Sequence, residues 1–100
     1  MINFRTFQIA VEFYSLCKTL SLPHHLREQL NRASSSIALN LAEGRGKKST
    51  KDQVKFFHIA LGSLRECEAI LILSNNTGTP TWRVLDCLGA HLYKLIKNAI

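Results

Sequence analysis

Three clusters of turn-forming residues, with almost no apolar–polar alternation between them, restrict this chain to helices. The clusters are Ser21-Leu22-Pro23, Gly44-Arg45-Gly46-Lys47-Lys48-Ser49 and Asn75-Asn76-Thr77-Gly78-Thr79-Pro80. They leave four segments, about 3–21, 23–43, 50–75 and 80–98, each long enough for several helical turns. Connections this short make sequential helices antiparallel, which predicts an all-α, up-down-up-down four-helix bundle. The chain has 100 residues, 46% hydrophobic, with two prolines and five glycines. That suits one domain over 1–100 and is too short for two.

Local chemistry supports these boundaries. Pro23 and Pro80 suit the first turn of a helix, where the missing N–H has no partner to lose. Gly44, after Ala42-Glu43, can supply the left-handed residue that ends helix two. Ser49 can cap helix three, with Asp52 three residues on.

Steps of 100° per residue place Leu26, Leu30, Ala33, Ile37 and Leu41 on one stripe of helix two. Helix three aligns Phe57, Ala60, Leu61, Leu64, Cys67 and Leu71, and helix four aligns Val84, Leu85, Leu88, Leu92, Leu95, Ile96 and Ala99. Helix one carries two apolar faces. Phe4, Phe7, Val11 and Tyr14 lie on one side; Ile9, Phe13, Leu16 and Leu20 lie nearly opposite. A single bundle buries only one of them, so the second set is expected to form an oligomer interface.

Polar residues also recur where the pattern wants apolar ones. Arg32, Ser36, Asn40 and Glu43 run beside the apolar stripe of helix two, and Glu68 projects between Leu61, Leu64 and Leu71. A buried carboxylate needs a cation or several donors, so Arg32, Asn40, Glu43 and Glu68 are expected to form a structural polar network, with Arg32 facing Glu68. The competing reading makes Glu43 and Glu68 an acid/base pair. No nucleophile stands beside a base in sequence to support it.

Other chemical sites fail on spacing. His24, His25, His58 and His91 show no His–His or His–Cys ligand spacing, so no metal or cofactor is expected. Cys17, Cys67 and Cys87 are odd in number and lack Cys-x-x-Cys spacing; they read as small buried hydrophobes in a reducing compartment. The glycine-lysine loop superficially resembles a phosphate-binding loop, but Leu41 stands where the first glycine is required and a helix precedes it. No catalytic residue is identified, and the chain is not expected to be an enzyme. The opening residues lack a secretory leader pattern, and the longest apolar run, Ala69 to Leu73, is far too short to span a bilayer. A cytoplasmic protein with no membrane partner is expected.

The net charge of +6, from 13 Lys+Arg and 7 Asp+Glu, concentrates in one segment. Arg45, Lys47, Lys48, Lys51 and Lys55 are opposed there only by Asp52. They form a candidate phosphate-contact surface for RNA or DNA. The alternatives are a solvated loop or a protein partner. No aromatic residues are interleaved with these cations, so base stacking has no support here.

The run from Gln29 to Gly44, QLNRASSSIALNLAEG, and the run from Phe57 to Glu68, FHIALGSLRECE, are more specific. Together they resemble the bacterial four-helix bundle family encoded within intervening sequences of 23S rRNA genes. Cys67 stands where that family usually has Leu, and Asn31 where a second Arg is common. The resemblance implies a homopentameric ring with a positively charged surface. It also implies kinship with accessory proteins of diversity-generating retroelements, which bind a reverse transcriptase and nucleic acid. Arg32, Asn40, Glu43, Gly44, Ser63, Glu66 and Glu68 match the family's motifs. The expectation is a small basic, oligomeric, non-catalytic accessory protein that binds nucleic acid. The alternative is a structural or interaction ring with no nucleic-acid role.

Overall fold

The computed structural model describes residues 4–99 and places four helices: α1 (Arg5–Cys17), α2 (His24–Arg45), α3 (Thr50–Leu73) and α4 (Pro80–Ala99). Residue 3, where the first helix was expected to start, lies outside the described residues. Each helix packs on the one before it and α4 closes back on α1, giving the antiparallel up-down-up-down bundle, 40 × 21 × 21 Å.

The connections show why the helices stop where they do. α1 ends at Cys17, short of the expected residue 21, and Arg27 of α2 takes over its free carbonyls. The guanidinium donates to the Cys17 carbonyl at 2.8 Å and also to the Leu20 carbonyl. Ser49 caps α3, its Oγ accepting from the Asp52 N–H at 3.1 Å. Thr79 caps α4 by accepting from the Trp82 N–H at 3.2 Å, and Pro80 is the first residue of that helix. Pro23 sits one place before α2. At the end of α3, Asn75 adopts φ 60°, which turns the Asn76 N–H onto the Leu71 carbonyl at 2.8 Å. The Asn76 side chain then donates to the Ser21 carbonyl at 3.3 Å, tying the two connections at this end together.

Gly44 does not play the expected part. No glycine among the described residues has positive φ, and α2 continues through Gly44 to Arg45. The requirement is space. A Cβ there would lie 2.7 Å from Phe57 Cε1 and 3.0 Å from the Gln53 carbonyl oxygen. Gly44 lets the end of α2 approach the start of α3.

Helix α1 reverses the expected assignment of its two faces. Ile9, Phe13 and Leu20 belong to the core of the single chain and Leu16 is half-buried. These four residues therefore do not form an exposed oligomer interface. The reason lies in the small residues: Thr6, Ala10 and Cys17 share their side and are also buried, completing one stripe from Thr6 to Leu20. Of the opposite set, Phe4 is buried against Phe57, with ring centroids 6.5 Å apart, whereas Phe7 and Tyr14 are half-buried and Val11 is exposed.

Candidate nucleic-acid interface

The basic segment runs from the last residue of α2 through the loop into the first turns of α3, and the structure divides its five cations into two groups. Arg45 lies over the Phe4 ring, 5.2 Å from the centroid. Lys47 lies 5.2 Å from the Phe56 ring centroid and 3.1 Å from the Glu43 carboxylate. The Lys47 carbonyl accepts from the Gln53 side chain at 2.8 Å. These contacts fix the shape of the loop. Lys48, Lys51 and Lys55 are exposed, and among the described residues no ion pair engages them. Their charges face solvent.

No local signal marks Phe4 under Arg45, because the two come from opposite sides of the chain's first turn and meet only when α1 packs on α2. Phe56 could have been inferred. It adjoins Phe57, and a 100° step turns it away from the stripe of Phe57, Ala60, Leu64 and Leu71.

The expected buried network does not form. Arg32 is exposed, Glu43 pairs with Lys47 at the surface, and half-buried Glu68 pairs with Arg65 at 3.3 Å. An i, i+3 partner on its own helix satisfies Glu68 at the rim, without stripping water from a guanidinium. Asn40 stays within α2. It donates to the Ser36 carbonyl at 2.9 Å and the Ser36 hydroxyl at 3.1 Å, and that hydroxyl meets Ser63 of α3 at 2.8 Å. The cross-helix polar contact is thus hydroxyl to hydroxyl between small side chains, which suits two closely packed helices.

The cysteines differ from one another. Cys17 and Cys67 are buried, as expected; burial pushes the Cys17 thiol up to about 12 and the Cys67 thiol higher still. Cys87 is exposed, contrary to expectation, and its sulfur lies 3.6 Å from His91 Nδ1, one turn along α4. Sequence spacing therefore does pair one histidine with a cysteine. Among the described residues no group of three or more His, Cys, Asp or Glu side chains could hold a metal ion.

An open cleft of about 260 Å³ between α3 and α4 is lined by Leu61, Arg65, Glu68, Asp86 and Tyr93, with no nucleophile beside a base. Among the described residues no helix is long and apolar enough to cross a membrane.

Neither a curated protein nor a solved structure matches the chain at a significant level. A protein-family profile does match, over residues 2–98, nearly the whole length of the bundle just described. The chain belongs to the family of 23S rRNA-intervening sequence proteins.

Proposed function

We propose that this protein is a non-catalytic accessory protein that contacts the phosphate backbone of RNA or DNA through the α2–α3 loop. The observation that carries this reading is the trio Lys48, Lys51 and Lys55. They are exposed and unpaired among the described residues, Lys48 on a loop shaped by the contacts of Arg45, Lys47 and Gln53, and Lys51 and Lys55 on the first two turns of α3 that follow it. A solvated surface whose only task is solubility has no need of a fixed loop. Membership of a family described by an rRNA intervening sequence fits an RNA-associated role. Association with a reverse transcriptase and assembly into a homopentamer extend the proposal through the resemblance described above.

The test is binding to a structured RNA across a salt series. Three phosphate contacts give log K against log salt a slope of about −3. Replacing Lys48, Lys51 and Lys55 with Gln should remove most of that slope while the helical fold persists. Binding insensitive to salt, or unchanged in this variant, rejects the proposal.

A second reading, an assembly protein whose charge is incidental, is favoured by the large apolar side chains left exposed: Val11, Leu39, Ile59, Ile72, Leu73 and Tyr93. Light scattering at micromolar concentration tests self-association independently of nucleic acid.

A further inference from the structure

Antiparallel packing brings the start of α1, the α2–α3 loop and the end of α4 to one end of the bundle. Phe4 touches Phe57 there, and Thr6 of α1 shares a surface cleft with Lys94 and Asn98 of α4. The five loop cations are therefore joined by Arg5, Lys94 and Lys97, all exposed. Among the described residues only Glu43 and Asp52 oppose them at this end. The five remaining Lys and Arg are matched by the five remaining Asp and Glu, so the entire net charge of +6 belongs to one end of the molecule.

We infer that the contact surface is this whole end face rather than the loop alone, and that it fits the backbone of a double helix in preference to a single strand. This rests on the nucleic-acid reading above. The face is 21 Å across, which spans about six base pairs at 3.4 Å per step. Cations supplied from three separate elements across that width can meet phosphates on both strands. Single-strand binding draws instead on exposed aromatic rings that stack bases. Here Phe4 and Phe56 lie under Arg45 and Lys47, each 5.2 Å from its cation. The exposed ring of Tyr93 lines the α3–α4 cleft, where Arg65 pairs with Glu68 and Asp86 is left to repel phosphate. An anionic membrane surface takes up apolar side chains together with cations. Val11, Leu39, Ile59 and Tyr93 sit on the flanks, and Ile72 and Leu73 at the opposite end.

Fluorescence anisotropy with a short labelled duplex, its single strand and anionic vesicles, over a salt series, tests the inference. Six available cations give a duplex slope of about −5, against about −3 for the loop trio alone. The variant carrying Arg5→Gln, Lys94→Gln and Lys97→Gln should lower that slope by about 3, and circular dichroism should show an unchanged melting curve. A duplex preference with that loss supports the inference. A slope of about −3 that this variant leaves alone but the loop variant abolishes overturns the end face and leaves the proposed function standing. Tighter binding to the single strand, or to vesicles, overturns the duplex assignment. Salt-dependent binding to no probe overturns both proposals.

Discussion

Alanine at Gly44 and alanine at Gly62 should move stability in opposite directions, although both glycines sit inside helices. Glycine in a helix interior costs about 0.5–1 kcal/mol relative to alanine, because its backbone loses more freedom on folding. At Gly62 nothing lies within 4 Å of the added methyl and the site is exposed, so Gly62→Ala gains that amount in full. At Gly44 the methyl would stand 2.7 Å from Phe57 Cε1 and 3.0 Å from the Gln53 carbonyl oxygen. Carbon atoms settle about 3.5–4.0 Å apart, so α2 and α3 must separate or the ring must move by nearly 1 Å. Phe57 is only 3% exposed and is held against Phe4, and Gln53 O is backbone, so neither yields easily. Overpacking of this kind costs about 1–3 kcal/mol, leaving a net loss of up to about 2.5 kcal/mol after the helix gain. For a domain of this size that lowers Tm by up to about 12 °C, whereas Gly62→Ala raises it by about 2–5 °C. Thermal melts followed by circular dichroism resolve both. Phe57→Leu, which removes the ring edge, should lessen the cost of the Gly44 substitution and so reveal the coupling. Stabilisation by both alanines would refute the close approach of the two helices.

Arg27→Ala should cost about 1.5–3 kcal/mol, since a cation's bonds to the Cys17 and Leu20 carbonyls are lost together; urea denaturation measures it, and a cost near zero refutes the anchoring role. Arg32→Ala should change stability by less than about 0.5 kcal/mol, because the side chain is exposed; a larger loss in the same assay revives a buried pair. Ser36→Ala and Ser63→Ala should show a coupling of about 0.5–1.5 kcal/mol in a double-mutant cycle, as partners in one hydrogen bond. Stability should also fall above pH 9.0, the ordinary thiol value. In the unfolded chain Cys17 loses its proton there, while in the fold it keeps it up to about 12, so rising pH favours unfolding by up to about 1.4 kcal/mol per pH unit over that window. Cys17→Ala should flatten that part of the pH–stability curve, and native labelling with a thiol reagent at pH 8 should modify Cys87 alone.

The bundle was legible because its determinants are local. Turn clusters, the Ser49 cap and the stripes of α2, α3 and α4 each depend on residues within a turn or two of one another, and local spacing states them directly. Gly44 shows where local signals become ambiguous. A glycine at the end of a helical pattern can supply a left-handed turn or make room for a neighbour, and only the position of Phe57 on another helix decides between them. The polar network failed for a related reason. Helical spacing placed Glu68 on the right side of α3, half-buried, but not at what depth. A carboxylate at the rim can take Arg65 from its own helix, and the partner expected from α2 is then unnecessary.

The two faces of α1 make the same point more sharply. Counting only large side chains gives two equal stripes and no means of choosing between them. Burial follows the face whose gaps are filled by small residues, because Ala10 and Cys17 allow neighbouring helices to come close while Ile9 and Phe13 fill the space between them. The interface expected on that side is thereby consumed by the fold. The apolar surface that remains outward is scattered over all four helices instead of gathered on one. Charge follows the opposite course. It looks like a single basic loop in the sequence, yet three distant stretches of chain meet once alternating helix directions are imposed. Antiparallel order alone requires residues near 5, 45–55 and 94–97 to share an end. A topology correctly read from turn clusters already contains the charge separation of the folded molecule, even though no window of the sequence displays it.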